Sequence, residues 1–177
     1  MVTLGNNRHF YYINNNSSVD CLLPDHALSL PMHWRLITVG KPGHPWVKEA
    51  MSLYWKRLQH YARFEHCMIK EAAQPQVEAQ IAAACEGSLC VLLDGRGKQL
   101  RSIEMAKWIE KEEISGRKRI CLVVGGAEGH SPQLRASAAA CWSLSTLTLQ
   151  HDIALVVLVE QLYRAYSITR GEPYHRE

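Results

Sequence analysis

From residue 34 onwards, short apolar runs alternate with segments of helical pattern, and this alternation is the feature that most constrains the fold. Runs of strand-like composition predict strands over 34–39, 64–69, 88–93 and 119–124, with a short strand-like piece over 145–149. Helices are predicted over 45–61, 74–85, 102–115 and 153–168, with a further helix starting near Pro132. This order is typical of an α/β fold, a mostly parallel sheet with helices on both faces.

The chain divides into two unequal parts. Its 177 residues suffice for one α/β domain with a full core. Residues 1–31 are different in kind: they include a polar, turn-prone stretch at 14–18, and no apolar run there has the length of a signal peptide or a membrane span. We therefore expect residues 1–31 to be a disordered N-terminal extension and residues 32–177 to be a single domain that begins at Met32.

The net charge and the cysteine pattern exclude few functions. A formal net charge of +3 is compatible with an RNA partner but does not require one. The six cysteines form no CxxC pair and no Cys/His cluster with zinc-ligand spacing. We therefore expect no metal site, reduced thiols and a cytoplasmic protein.

Three loops at predicted strand ends are candidates for a ligand site, because ligands of parallel sheets bind beyond the carboxyl ends of the strands. Asp94-Gly95-Arg96-Gly97-Lys98 follows Leu93, and Gly125-Gly126 follows Val124. The third segment, 142–151, alternates hydroxyl residues with leucines, a composition that suits an adenine ring. Neither a phosphate-binding GxxxxGK[ST] loop nor a GxGxxG fingerprint is present. Taken singly, each segment is equally compatible with an ordinary turn or an edge strand.

The last helix and the tail that follows it carry a separate signal. Residues 153–159 are apolar on all sides, and so small a domain can bury such a helix most simply against a second copy of the chain. Polar and charged groups follow at Glu160, Arg164 and Arg170 and in the tail. A serine-hydrolase interpretation of Ser145 fails because GxSxG is absent.

Taken in order, four segments resemble a known family. LLDGRGK, VVGGAEG, WSLSTLTLQH and EQLYRAYSITRGEPYHRE are similar to the bacterial methyltransferases that modify N3 of a pseudouridine in 23S ribosomal RNA, which are minimal SPOUT enzymes. The resemblance runs from Met32 to Glu177, and the closing EQLYRA and RGEPYHRE are its most specific part.

The resemblance implies a fold, a cofactor and a partner. Members of the family tie the C-terminal part of the sheet in a trefoil knot, bind S-adenosylmethionine in the knot loops and form homodimers. Their target lies in the helix 69 loop, so the implied substrate is the assembled ribosome. Carried over by motif, the cofactor-binding residues are Leu93, Gly125, Gly126, Leu144, Ser145, Thr146, Leu147, Thr148 and Leu149.

The C-terminal residues are then expected to carry the chemistry. N3 of pseudouridine bears a weakly acidic proton, so a base and a nearby cation favour the anion that accepts the methyl group. We expect Arg164, His175 and Arg176 to serve in these roles, with His175 as the base and Arg176 as the electrostatic stabiliser. Tyr174 is expected to stack on, or pack near, the target base.

Two departures from the family pattern stand out, and two other functions remain open. Ala127 replaces a common proline in the loop after Val124, and Leu155 stands where many relatives carry arginine. The absence of this arginine is expected to remove a basic contact near the interface. The alternatives are a non-catalytic knotted module that binds RNA or adenosine compounds, and a nucleotide-binding α/β module of another family.

Overall fold

Five parallel strands form the central sheet of the computed structural model, which describes residues 32–176. Their order in the sheet is β2-β1-β4-β3-β5. The strands are β1 (His33–Val39), β2 (Arg63–Ile69), β3 (Leu89–Gln99), β4 (Arg119–Val124) and β5 (Ala140–Ser143). The helices are α1 (Pro45–Leu58), α2 (Gln74–Ala84), α3 (Ser102–Ile114), α4 (Pro132–Ser137) and α5 (His151–Thr169). The predicted α/β class is confirmed, and the predicted extension over 1–31 lies outside the described residues.

Helices cover both faces of the sheet, as predicted. On one face α1, α3 and α5 pack on the sheet through apolar residues such as Val47, Ile109 and Leu158, each of which is fully buried. On the other face Val77 and Ile81 of α2 pack on the sheet together with part of α4. Among residues 32–176, no helix combines the length and the apolar character needed to cross a membrane.

α5 is not buried on all sides in the single chain. Leu155, Leu158 and Leu162 are buried against the sheet side of the helix. Ile153 lies on the outer side and is 41% exposed. Because side chains three or four residues apart share one face of a helix, Val157, Glu160 and Arg164 belong to the same outer stripe. The buried Leu155 therefore offers no contact to a partner, so an arginine at its position would replace a core residue here.

The prediction of a strand over 145–149 was wrong. β5 comprises Ala140–Ser143, and the segment after it is a loop. The Ser145 hydroxyl accepts a hydrogen bond from the backbone N–H of Leu147 at 2.9 Å, and this local bond turns the chain away from an extended path. The alternation of hydroxyl residues and leucines there reflects a turn before α5 and not the two faces of a strand.

β3 continues beyond its predicted end at residue 93. Trp142 of β5 pairs with both Leu93 and Lys98, so the chain between these two residues bulges out of the regular pairing. Gly97 lies in this bulge, and a Cβ atom there would come within 2.6 Å of the carbonyl carbon of Trp142. A residue without a side chain is therefore required where β3 passes the β5 backbone.

Candidate functional site

The residues predicted to bind the cofactor lie at the carboxyl edge of three adjacent strands. In the sheet register, Leu93 of β3 lies between Val124 of β4 and Trp142 of β5. β4 and β5 end at this edge and β3 bulges out of its regular pairing there, so the structure brings the three predicted loops together. Besides Leu93, the predicted residues in these loops are Gly125, Gly126, Leu144, Ser145, Thr146, Leu147, Thr148 and Leu149.

The loop after β4 is tight and is held in place by neighbouring residues. A Cβ atom at Gly125 would lie 3.0 Å from Cε1 of His130, and one at Gly126 would lie 3.3 Å from Cγ1 of Val39. At the end of the loop, Glu78 of α2 accepts hydrogen bonds from the backbone N–H of Ser131 at 2.9 Å and from its hydroxyl at 2.8 Å. The two glycines therefore keep the loop close to its neighbours, and Glu78 fixes its exit into α4.

His130 connects the loops after β3 and β4. Its side chain is buried, and its Nε2 atom has no hydrogen-bond partner within residues 32–176. Burial lowers the pKa of His130 below 6.5, although the nearby carboxylate of Asp94 opposes the shift. Arg135 donates to the backbone carbonyl of His130 and lies 3.5 Å from Asp94. A neutral imidazole with a free nitrogen thus lies directly beside Gly125.

The loop after β5 presents both apolar and polar groups at the same edge. Leu144 and Leu149 are half-buried, whereas Leu147 is 74% exposed. The Ser143 hydroxyl donates to the backbone carbonyl of Ser145 at 2.8 Å, which fixes the start of the loop. An exposed leucine on a loop held by such short-range bonds can contact a ligand at little cost in loop ordering.

Asp152 joins the start of α5 to the loop after β1. It is 1% exposed and accepts hydrogen bonds from the backbone N–H groups of Gly43 at 2.9 Å and His44 at 3.0 Å. The Nδ1 atom of His44 lies 2.8 Å from the same carboxylate. Burial alone would raise the pKa of Asp152, but these hydrogen bonds outweigh it and the pKa lies below 3.8. These bonds hold the loop after β1 at the carboxyl edge of the sheet, where the three loops predicted to bind the cofactor also lie.

The end of α5 and the start of the tail lie at the opposite, amino edge of the sheet. The Trp34 indole, near the start of β1, donates to the Tyr166 hydroxyl at 2.8 Å. Further on, the Tyr61 hydroxyl donates to Glu172 at 2.5 Å, and Arg170 lies 3.6 Å from Glu113 at the end of α3. These contacts hold the end of α5 and the tail where the strands begin.

Two of the four predicted catalytic residues form one cluster with Glu160. Arg164 bonds Glu160 at 2.6 Å, which raises the pKa of Arg164 and keeps the guanidinium charged. The Tyr174 hydroxyl donates to the same carboxylate at 3.0 Å, and its ring lies 4.8 Å from the Arg164 guanidinium carbon. The tail therefore folds back on α5.

The other two residues, His175 and Arg176, complete the tail. Both ring nitrogens of His175 are shielded from solvent and have no hydrogen-bond partner in the described part of the chain. Arg176 is exposed.

No hydrogen bond, ion pair or ring contact within residues 32–176 joins the two groups of predicted residues. α5 begins beside the cofactor loops and ends at the tail, and at a rise of about 1.5 Å per residue Arg164 lies about 20 Å along the helix from His151. Among the described residues no three His, Cys, Asp or Glu side chains form a metal-binding group.

Sequence reasoning did not identify two of the residues that organise the carboxyl edge. His130 was missed because its neighbours in the sequence carry no periodic signal, and its burial depends on the loop path. Asp152 was missed because its partners, the backbone N–H groups of Gly43 and His44, lie 109 and 108 residues away in the sequence. Its place in the first turn of α5 indicates only the favourable interaction of a carboxylate with a helix N-terminus.

Comparisons with known proteins identify the family of the chain. The family model described as "Predicted SPOUT methyltransferase" matches residues 32–175. A protein of Deinococcus radiodurans named "Ribosomal RNA large subunit methyltransferase H" is 39% identical over 145 residues, which cover 82% of this chain and 99% of the relative. A protein of Prochlorococcus marinus with the same name is 40% identical over 81% of this chain and 96% of the relative.

A solved structure of a probable methylase family protein from Haemophilus influenzae Rd KW20 is similar in fold. It has a TM-score of 0.50 and 10% identity, and the match covers 82% of this chain and 70% of that one. The family model spans nearly all of the described residues. Identities of 39% and 40% over most of both chains establish a shared family with these relatives. The chain belongs to the SPOUT family of methyltransferases, whose methyl donor is S-adenosylmethionine.

Proposed function

We propose that the chain methylates the RNA of the large ribosomal subunit, at N3 of a pseudouridine in the helix 69 loop of 23S rRNA on the assembled ribosome. The relatives named as large-subunit rRNA methyltransferases support the RNA class, since they match the chain over almost their whole length. The observation that carries the proposal is the meeting of three loops beside β3 at one edge of the sheet.

The carboxyl edge suits S-adenosylmethionine. Leu93, Leu144, Leu147 and Leu149 would contact the faces of the adenine, and the backbone of the loop after β5 would bond its edge. The free Nε2 atom of His130 adds a buried polar group beside the loop after β4. The mixture of apolar side chains with one unsatisfied polar atom therefore fits an adenosine-containing ligand. When bound, S-adenosylmethionine supplies a methyl group that is activated on a sulfonium.

We further propose that the enzyme is a homodimer in which the tail of one chain completes the cofactor site of the other. The outer stripe of α5 supports this arrangement, because it carries the exposed Ile153 at one end and Arg164 at the other. Antiparallel packing of two such stripes buries the apolar end and moves Arg164 towards the partner's loops. The distance of about 20 Å along α5 is then spanned by the second chain.

The tail residues would act on the substrate base and not on the methyl donor. His175 has unused ring nitrogens and would accept the N3 proton, while the exposed Arg176 would stabilise the resulting anion. Arg164 and Tyr174 hold each other through Glu160 and would orient the base, with the Tyr174 ring stacked on or near it. Aligning the two reacting groups in this way can contribute up to ~7–11 kcal/mol to the lowering of the barrier.

The wider setting follows from the proposed substrate. Ribosomes as the partner place the enzyme in the cytoplasm, and we propose that residues from Met32 onwards form the single catalytic domain. We also propose that the C-terminal part of the sheet is tied in a trefoil knot, as the resemblance to the family implies.

The direct test is to incubate ribosomes that lack the modification with labelled S-adenosylmethionine and the purified protein. We expect label at one pseudouridine of 23S rRNA, located by nuclease mapping and mass spectrometry. Binding of the methyl donor without any transfer to ribosomes would instead identify a non-catalytic module. A preference for ATP or NAD over S-adenosylmethionine in a titration would contradict the cofactor assignment itself.

A further inference from the structure

The amino edge of the sheet carries a group of exposed basic side chains that the proposed chemistry does not use. Arg63 begins β2 and Arg119 begins β4, and both pair in register with His33 at the start of β1. Lys118 and Arg117 directly precede Arg119, and all four cations are exposed. We refer to Arg63, Arg117, Lys118 and Arg119 as the basic edge.

Three of these four cations have no acidic partner. Arg117 lies 3.3 Å from Glu112, but Arg63, Lys118 and Arg119 form no salt bridge within residues 32–176. Three cations without an acidic partner, together with Arg117, therefore lie side by side where these strands begin.

The pKa of His33 also reflects the cations beside it. Burial is the largest cause that lowers the pKa of His33, and the nearby Glu65 opposes it. Arg63 and Arg119 then lower the pKa further, because a cationic imidazole is unfavourable between them. Neighbouring strands are about 4.8 Å apart, so Arg63 and Arg119 flank His33 at a separation of about 10 Å between their backbones.

The basic edge also borders an open cleft. The cleft has a volume of about 460 Å³ and is lined by Gly87, Ser115, Gly116, Arg117, Lys118 and Arg119. Gly87 and Gly116 have φ angles of 68° and 74°, and a Cβ atom at either would meet no atom within 4 Å. The floor of the cleft is therefore open backbone beside unpaired cations, a combination that accepts phosphate oxygens.

The position of the basic edge relates it to the tail. Arg170, at the end of α5, pairs with Glu113 near the end of α3, and the α3–β4 loop with Arg117 and Lys118 follows at once. RNA whose target base reaches the tail would therefore pass beside these cations. We propose that the basic edge binds the phosphate backbone of the RNA substrate next to the base that the tail receives. This inference rests on the proposed function, since it assumes an RNA substrate.

Charge reversal tests the proposal. The variant Arg63→Glu with Arg119→Glu should raise KM for ribosomes about tenfold at moderate salt and leave kcat unchanged. The dependence of log Kd on log salt should become shallower by about one for each phosphate contact that is lost. The matched control is Lys48→Glu with Lys107→Glu, which changes the same charge at exposed positions on α1 and α3. The control should leave both quantities unchanged.

A neutral pair, Arg63→Gln with Arg119→Gln, guards against misfolding and should give the same direction of change with a smaller effect. Equal KM and equal salt slope in the reversal and control variants would overturn the proposal. Loss of ribosome binding with an unchanged salt slope would also overturn it, since this result indicates contact with ribosomal protein. Filter binding to a protein-free helix 69 RNA needs no methyl transfer, so it tests the basic edge even if the unaltered enzyme proves inactive on ribosomes.

Discussion

The indole N–H of Trp34 donates to the hydroxyl of Tyr166 at 2.8 Å, and both side chains are buried. This bond ties the end of α5 to the start of β1. Because α5 begins at the other edge, where Asp152 bonds Gly43, the bond fixes the end of the helix, and with it the start of the tail, at the amino edge. The composite site proposed above rests on this position.

Tyr166→Phe should therefore destabilise the fold. The substitution leaves the buried Trp34 N–H without an acceptor, which costs about 1–3 kcal/mol of the free energy of unfolding. Urea unfolding measures the change, and a double-mutant cycle with Trp34→Phe isolates the bond because the double variant should lose less than the sum of the two single variants. Unchanged stability of Tyr166→Phe would show that the hydrogen bond contributes nothing.

Gly97→Ala should be far more damaging than Gly95→Ala. A Cβ atom at Gly97 would lie 2.6 Å from the carbonyl carbon of Trp142, whereas one at Gly95 would meet nothing within 4 Å. We expect Gly97→Ala to lose about 1–3 kcal/mol of unfolding free energy relative to Gly95→Ala, because the β5 backbone cannot move aside easily. Equal denaturation midpoints for the two variants would contradict the close approach of β3 and β5.

These elements also show what the sequence could and could not predict. The alternation of apolar runs with helical segments predicted four strands within a few residues, because burial on both faces leaves a continuous apolar run. β5 was missed because Ala140–Ser143 is short and pairs with one neighbour, so its local signal is weak. The alternating segment that followed it looked more like a strand than β5 did.

The site was predictable in its parts but not in its layout. Family motifs pointed to Leu93, to the two glycines after β4 and to the tail. That the tail starts at the opposite edge depends on the path of α5 and on contacts such as Tyr61 with Glu172, which join residues far apart in the sequence. Tertiary contacts of this kind leave no periodic pattern.

His130→Gln should weaken the pH dependence of stability. Burial lowers the pKa of His130 below 6.5, so on acidification the unfolded chain takes up a proton at this residue before the folded chain does. The free energy of unfolding therefore falls as pH decreases below about 6.5 and levels off below the folded pKa. Thermal unfolding between pH 7.5 and pH 5 should show a smaller loss in His130→Gln than in the unaltered protein. The same change at the exposed His60 is the control, and an equal effect there would contradict the assignment.

Replacement of the tail residues should separate catalysis from cofactor binding. His175→Ala or Arg176→Ala should lower kcat for ribosome methylation at least ~100-fold, because each removes a group that acts on the substrate base. The Kd for S-adenosylmethionine, measured by calorimetry, should change little. Lys48→Ala and Lys107→Ala, at exposed positions on α1 and α3, should retain full activity. Equal loss of methylation and cofactor binding in the tail variants would contradict this division of roles.

The central claim is that one chain supplies the cofactor loops and its partner supplies the tail, and subunit mixing tests it most directly. Gly126→Arg should block the cofactor loops, and His175→Ala with Arg176→Ala should disable the tail, so each variant alone should be inactive. After the two are mixed and allowed to exchange subunits, each mixed dimer holds one site with intact loops and an intact tail. Methylation of unmodified ribosomes should then return to about a quarter of the level of the unaltered enzyme. If the mixture stays inactive while subunit exchange is verified, loops and tail act within one chain and the composite site is wrong.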